Sequence, residues 1–311
     1  MNYRDFVNNS INYLTNYIVN NNLRSLVLGI SGGIDSTVTA AIASKACKKT
    51  GIKLIGRSLP AHTNNPEEIN TATLVGEAFC DDFKEVAIEK MYARVADEIE
   101  LNEGPMNFLQ LGNVKARLRM IYLYNLASIH RGCVLDTDNR TEHELGFFTI
   151  HGDVGDLNCG IIHLWKTEVY ELARYLMQYH MYRDGQNTSH SKQSKAICES
   201  IKLTPTDGNG VTLSGGDCAQ FGLDNYGQVD DVLKTMYFRK PDFLTEEQHN
   251  YLQNQGITLI DNTKEILNKE YIRLIDSYNE QGVDKVMMLH QNSGFKREHL
   301  PIFPTKKELE I

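Results

Sequence analysis

The stretch SLVLGISGGIDST, residues 25–37, constrains the fold of this chain more than any other segment. SLVLGI (25–30) is a short, continuous apolar run, the pattern of a strand buried on both faces. Two glycines end it, and TVTAAIASKACKK (37–49) is alanine-rich helix text. Strand, glycine turn and helix in that order make up the first half of a βαβ unit. The pattern recurs, with strands at KLIGRSL (53–59), FKEVAI (83–88) and GCVLDT (132–137) and helical spacing between them at 66–80, 91–101 and 113–130. Ahead of the first strand, Phe6, Val7, Ile11, Leu14, Ile18 and Val19 give 6–22 the spacing of an amphipathic helix. The alternation predicts an α/β fold, a doubly wound parallel sheet with flanking helices.

Past residue 180 the text changes. Residues 181–195 are polar, almost free of apolar anchors, and read as a mobile insertion; TDGNGVTLSGGDC (206–218) reads as a second loop. From 225 onward VDDVLKTMYF, EEQHNYLQNQ and KEILNKEYIRLIDSYNEQ are helical, and the tail from Asn292 to Pro304 reads as extended. The expected organisation is one domain over 1–311: an α/β core (1–180), the 181–195 insertion, and a mostly helical region and tail (196–311).

Charge and cysteine content narrow the partners. Against 32 basic residues stand 40 acidic ones, and the net charge of −8 argues against wholesale nucleic-acid binding. The six cysteines (47, 80, 133, 159, 198, 218) contain no C-x-x-C pair, so neither a zinc site nor a redox dithiol is spelled out. No basic start leads into an apolar run, and no stretch reaches the ~18 apolar residues of a membrane helix. A cytoplasmic protein with free thiols, no membrane partner and no nucleic acid is the expectation.

The chemistry sits in GISGGIDS, residues 29–36, between the end of a parallel strand and the start of a helix. Backbone N–H groups and the helix dipole favour anions there. Gly29, Ile30, Gly32, Gly33 and Ile34 supply a main chain that a phosphate can approach, and the hydroxyls of Ser31 and Ser36 can donate to it. Asp35 cannot hold a phosphate directly, but it suits a Mg²⁺ ion that neutralises both. The loop lacks the Lys-Ser/Thr ending of a Walker loop and the G-x-G-x-x-G spacing of a dinucleotide fingerprint.

S-G-G-x-D-S resembles the pyrophosphate-binding loop of the N-type ATP pyrophosphatases, which split ATP into AMP and pyrophosphate. Four further segments resemble the NAD synthetase branch of that superfamily: GNVKARLRM (112–120), TDNRTEHELGFFTIHGD (137–153), LWKTEVYELARYL (164–176) and SGFKREHLP (293–301), with PTDG (205–208) in a family loop. The resemblance implies an adenine nucleotide alpha hydrolase-like fold and makes 1–180 the nucleotide-binding core. It places residues 29–36, Arg57, Thr137, Lys166 and Thr206 at ATP. Arg117, Phe147, Asp153, Phe295 and Lys296 fall at deamido-NAD, and Asp35 and Glu142 become ligands of Mg²⁺. Asp35 and Lys166 carry the catalytic role. Departures from the family pattern include Asp136 for a glycine, Ile150 for a lysine, and Leu157-Asn158-Cys159-Gly160 after the G-D pair.

The activity implied is a ligase forming a C–N bond in NAD biosynthesis. The deamido-NAD carboxylate attacks ATP, pyrophosphate leaves, and ammonia displaces AMP from the adenylate. Only about two dozen residues precede the first strand, so no N-terminal glutaminase domain is expected and free ammonia is the expected donor. The resemblance also implies a homodimer. Two alternatives stay open on the sequence: a pyrophosphatase-loop enzyme acting on another acceptor such as an RNA base, and a catalytically impaired nucleotide-binding regulator.

Overall fold

The computed structural model describes residues 1–181, 191–211, 216–237, 272–298 and 301–309. Helix α1 (Tyr3–Asn20) leads into β1 (Ser25–Gly29), α2 (Ile34–Thr50), β2 (Lys53–Ser58), α3 (Pro66–Phe79), β3 (Asp82–Glu85), α4 (Glu89–Glu103), α5 (Phe108–His130) and β4 (Gly132–Asp136). Then come α6 (Arg140–Leu145), β5 (Leu157–Asn158), a 3₁₀ turn (Ile161–His163), α7 (Lys166–Met181), α8 (Lys192–Lys202), α9 (Asp217–Phe221) and α10 (Tyr226–Tyr237). Residues 272–277 are helical, followed by α11 (Glu280–Asn292), a 3₁₀ turn (Lys296–Glu298) and α12 (Lys306–Leu309).

The five strands lie in the order β3-β2-β1-β4-β5, all pairings parallel. Alternate residues face opposite layers, as the pleat requires. Leu26, Leu28, Leu54 and Leu135 pack with α1, α2, α7 and α8, while Val27, Ile55 and Val134 pack with Met120, Leu123 and Ala127 of α5. This two-sided burial is why each strand reads as a continuous apolar run. A separate cluster joins Leu145, Trp165, Phe221, Val229, Val232, Leu274, Val283 and Val286 from the helices after the sheet.

Three readings of the sequence need correction. The polar stretch does not stay a loop to 195: Met181 still belongs to α7, and α8 starts at Lys192 with Ser191 accepting the N–H of Ser194. The inward face of α8 is built from Ser194, Ala196, Ile197 and Ser200, so half its buried positions carry hydroxyls and the apolar spacing is weak. The tail is not extended from Asn292, because the Arg297 guanidinium gathers the carbonyls of Glu144 and His290 and curls the chain into a 3₁₀ turn. Farther on, Ile302 does lie extended beside β5, accepting the N–H of Asn158 at 2.8 Å and donating to Asp156 at 2.7 Å. Finally, β5, α6 and the short α9 had no counterpart among the expected elements. EEQHNYLQNQ, the first eight residues of KEILNKEYIRLIDSYNEQ (264–271) and residues 182–190 of the insertion lie outside the described residues.

Candidate functional site

The strand order reverses between β1 and β4, and the chains leaving these two strands part toward opposite sides. The crevice at such a switch point is where open α/β sheets bind ligands. A cavity of about 490 Å³ lies over the strand ends, and a second of about 190 Å³ adjoins it. Ser31, Thr137 and Asp153 belong to both walls.

The glycine loop follows β1 into this crevice. Gly33 is the N-cap of α2 and no side chain caps that end, which leaves the first N–H groups of the helix for an anion. Ser31 Oγ accepts the N–H of Gly33 at 3.2 Å and lies 3.0 Å from Ser36 Oγ. Gly32 has φ +87°, and a side chain there would collide with the Glu68 carbonyl and the Ala72 nitrogen of α3. Glycine is therefore required twice over, by conformation and by space. Behind the loop Ser200 of α8 donates to the Gly32 carbonyl at 2.9 Å.

Opposite the loop, Lys166 opens α7. Its Nζ donates to Asp35 Oδ2 at 2.5 Å and to Glu142 Oε1 at 2.8 Å, with the lysine side chain only 4% exposed. Asn139 caps α6 and forms a capping box with Glu142, and its Nδ2 donates to Asp35 Oδ1 at 2.9 Å. Thr141 accepts the Lys166 backbone N–H at 2.8 Å and donates to Asp230, whose other oxygen takes the N–H and hydroxyl of Thr167. Side chains from α2, α6, α7 and α10 thus converge on one corner.

The electrostatics follow from burial. Burial opposes the charge on Lys166, but Asp35 and Glu142 outweigh it and hold the ammonium well above the usual lysine range. Burial pushes Glu142 up to about 7 although Lys166 pulls the other way, with the charge of Asp35 adding to the push. Asp153 rises to about 7 and Asp136 to about 6, both through burial. Asp138 stands well above the carboxylate range because burial is reinforced by Asp136, Asp153, Glu142 and Asp35. Among the described residues, neither oxygen of the Asp138 side chain is hydrogen-bonded, and it lines the larger cavity. Such a concentration of raised acids is a demand for positive charge.

Asp35 and Glu142 fit Mg²⁺ in one way. No group of three potential ligand side chains exists among the described residues, and Mg²⁺ is commonly held by one or two carboxylates completed by substrate phosphates and water. The pair therefore suits an ion that arrives with a nucleotide.

Most expected site residues meet here. Gly29, Ile30, Ser31, Arg57 and Thr137 line the smaller cavity; Gly33, Ile34, Asp35, Ser36, Glu142, Phe147, Asp153, Lys166, Thr206 and Lys296 line the larger. Arg57 reaches Asp82 at 3.0 Å, while its buried Nε has no hydrogen-bond partner among the described residues. Thr206 donates to Glu68, and Lys296 is bonded to the carbonyls of Gly146 and Phe148. Three residues line neither cavity: Gly32, which packs against α3, together with Arg117 and Phe295. Arg117 is exposed and touches the Ile150 carbonyl at 3.3 Å, and Phe295 is 62% exposed.

Arg119, two positions on from Arg117, is the α5 arginine that faces the smaller cavity. It donates to Leu59 O, Asn64, Asn209 and Gly208 O, and with Lys115 it fastens the 206–211 loop over the crevice. Helical phase separates i from i+2, and the apolar spacing of α5 around Ala116, Met120 and Leu123 could have assigned Arg119 to the inner side. Asn139 was readable too, as the first member of the N-x-x-E capping pattern.

Comparison with known proteins agrees with this geometry. The family described as NAD synthase matches residues 6–271. An NH(3)-dependent NAD(+) synthetase of Thermoplasma volcanium is 32% identical over 215 residues, covering 69% of this chain and 77% of the relative. One from Methanoregula boonei is also 32% identical, over 217 residues, or 70% of this chain and 77% of the relative. Among solved structures, the NMN synthetase of Francisella tularensis superposes with a TM-score of 0.67 at 22% identity, covering 98% of this chain and 99% of the other. The NH3-dependent NAD synthetase of Campylobacter jejuni gives 0.63 at 20% identity, covering 98% and 100%. These two carry the likeness of fold. With the glycine loop, the Asp35–Lys166–Glu142 corner and the match across 6–271 taken together, the chain belongs to the NAD synthase family.

Proposed function

We propose that this chain catalyses the ATP-dependent amidation of deamido-NAD by ammonia, giving NAD, AMP and pyrophosphate through an adenylated carboxylate. The observation that carries this reading is Lys166 held between Asp35 and Glu142 beside the uncapped start of α2. Family membership favours this acceptor over an RNA base, and an intact charged corner favours an enzyme over a regulator.

A carboxylate resists ammonia until one oxygen is converted into a leaving group. Its oxygen attacks the α-phosphorus of ATP and the bond to pyrophosphate breaks. The ammonia nitrogen then attacks the acyl carbon, a proton is lost, and AMP departs with the oxygen. Such transfers need positioning and charge neutralisation rather than a covalent nucleophile. Residues 31–36 offer N–H and hydroxyl donors to the departing pyrophosphate, and Lys166 supplies the fixed positive charge. The smaller cavity, walled by Ile30, Leu59, Met120, Leu123 and Leu135 with Arg57, Arg119 and Thr137, suits adenosine. Phe147, Asp153 and Lys296 line the space left for deamido-NAD. Mg²⁺ bound with ATP at Asp35 and Glu142 supplies neutralisation of the phosphate charge.

A homodimer belongs to the same proposal. Helix α5 exposes Phe108, Ile121 and Ile129 at 79%, 60% and 65%, along the helix that carries Arg117. A second copy covering this helix would bury them. A cytoplasmic location agrees with six free cysteines and with no described helix long and apolar enough to cross a membrane.

The test is product analysis with ATP, Mg²⁺, ammonium and deamido-NAD, with nicotinate mononucleotide as a comparison acceptor because one solved relative is an NMN synthetase. NAD and AMP forming one for one, each requiring deamido-NAD, is the expected result. AMP formation that responds only to the mononucleotide, or to neither acid, overturns the choice of acceptor.

A further inference from the structure

Two departures from the family pattern, Asp136 and Asn158, are far apart in the sequence and adjacent in the fold. Asp136, at the end of β4, and Asn158, in β5, are both 0% exposed, and Asn158 Nδ2 donates to Asp136 Oδ2 at 2.6 Å. Between them they hold both backbone polar groups of one residue, Asp138. Asp136 Oδ2 accepts the Asp138 N–H at 3.2 Å, and Asn158 Nδ2 donates to the Asp138 carbonyl at 3.0 Å. The other Asp136 oxygen accepts the Gly155 N–H at 2.9 Å. The Asn158 side-chain Oδ1 accepts the N–H groups of Gly160 at 2.7 Å and Ile162 at 3.2 Å.

Followed outward, these bonds end on the reactive corner. Asp138 precedes Asn139, which reaches Asp35 and caps the helix carrying Glu142. Gly160 and Ile162 start the 3₁₀ turn whose Leu164 carbonyl accepts the Arg140 N–H at 2.8 Å, one residue pair before Lys166. Gly155 closes the turn after Asp153. Asp136 and Asn158 touch neither cavity, so they can act only through these neighbours.

We propose that Asp136 and Asn158 are a coupled pair of positioning residues that sets the separation of Asp35, Glu142 and Lys166 and thereby tunes the corner for Mg²⁺–ATP. A carboxylate facing a carboxamide is directional: one side must accept and the other donate. Asp136→Asn must set its NH₂ against a donor, either the Asn158 NH₂ or the Gly155 N–H, and Asn158→Asp sets two acceptors together. The exchanged pair, D136N/N158D, again matches donor to acceptor between the two side chains, although Asp138 loses its clamp. This inference rests on the proposed ATP chemistry but does not depend on which acid is the acceptor.

The experiment has two readouts. The first is ATP affinity by calorimetry with and without Mg²⁺, which needs no turnover; the second is kcat for amidation. For Asp136→Asn, Asn158→Asp and the milder Asn158→Ser, the gain in ATP affinity on adding Mg²⁺ should shrink at least tenfold, with affinity for ATP alone within threefold of the parent. The kcat should fall by tenfold or more while KM for the acid stays within threefold, and D136N/N158D should recover at least fivefold over the worse single variant. A folded Asn158→Ser protein with parental Mg²⁺ dependence and kcat overturns the proposal, as does an exchanged pair no better than the product of the single effects. Failure of the parent to amidate deamido-NAD would instead strike the acceptor assignment and leave the Mg²⁺–ATP readout to decide this one.

Discussion

Asn139 donates to Asp35 at 2.9 Å, joining the first turn of α2 to the first turn of α6 across the gap between β1 and β4. Each strand end would otherwise present its own loop to solvent. The bond makes the glycine loop and the acidic motif after β4 parts of one wall, and it leaves Asp35 Oδ2 for Lys166.

Asp35 is the group whose loss should separate chemistry from stability. Removing one contact to developing charge commonly costs ~3–4 kcal/mol in the transition state. Asp35→Ala is therefore expected to lower turnover at least a hundredfold while the far-ultraviolet circular dichroism stays parental. Near-normal turnover would refute its role.

Lys166 should behave differently. Without Asp35 the ammonium still rests on Glu142, but deleting the shared lysine leaves two buried carboxylates uncompensated, at a cost of about 3–5 kcal/mol. Lys166→Met should therefore lose both activity and stability, and denaturant unfolding should show the stability deficit narrowing as the pH is lowered and Glu142 takes up a proton. A deficit that does not change between pH 5 and 8 would count against the charge argument.

The buried acids set the pH dependence of the folded state. Asp136 and Asp153 are raised to about 6 and about 7 by burial, and Asp138 also stands high. In the unfolded chain such groups ionise near pH 3.9. Between those values the unfolded state binds fewer protons, so this cluster costs stability as the pH climbs from about 4 to about 7. Asp138→Asn removes one ionisation and no side-chain hydrogen bond among the described residues. The variant should melt about 2 °C or more higher than the parent at pH 8, with the gain shrinking toward pH 5. A thermal shift series in pH checks the sign.

The two arginines of α5 make a paired prediction. Arg119 lines the smaller cavity and holds the 206–211 loop, whereas Arg117 is exposed. Arg119→Ala should raise KM for ATP more than tenfold, and Arg117→Ala should leave it within twofold. The reverse ranking in initial-rate measurements would place the nucleotide elsewhere.

What could be read from the chain depended on whether a segment's partners were written nearby. Strands β1, β2 and β4 are buried on both faces, so their text alone is diagnostic, and the glycine loop declares itself because Gly32 admits no other residue. Glu142 and Lys166 came through resemblance, and the structure shows each on Asp35's corner. Two-residue β5 carries no periodicity, and its pairing depends on Ile302, 144 positions beyond Asn158 in contact through the backbone. Arg119 on the wall of the smaller cavity was not legible because a motif does not state helical phase. Asp136 stood in the sequence only as a departure from a glycine; it faces inward, where Asn158, Gly155 and Asp138 absorb its charge.

The bond between Asn158 and Ile302 has a bearing on how the protein is made. Residues 301–309 leave the ribosome after everything else described here, yet Ile302 completes the outer edge of the sheet and Leu309 is buried against the first helix side of the core. A nascent chain can assemble its nucleotide loop early, but β5 keeps an unpaired edge until those last residues emerge. Closure of this sheet edge therefore waits for residues more than 140 positions farther along the chain, and chains cut short upstream of Ile302 would present an open sheet edge to the cell's chaperones and proteases.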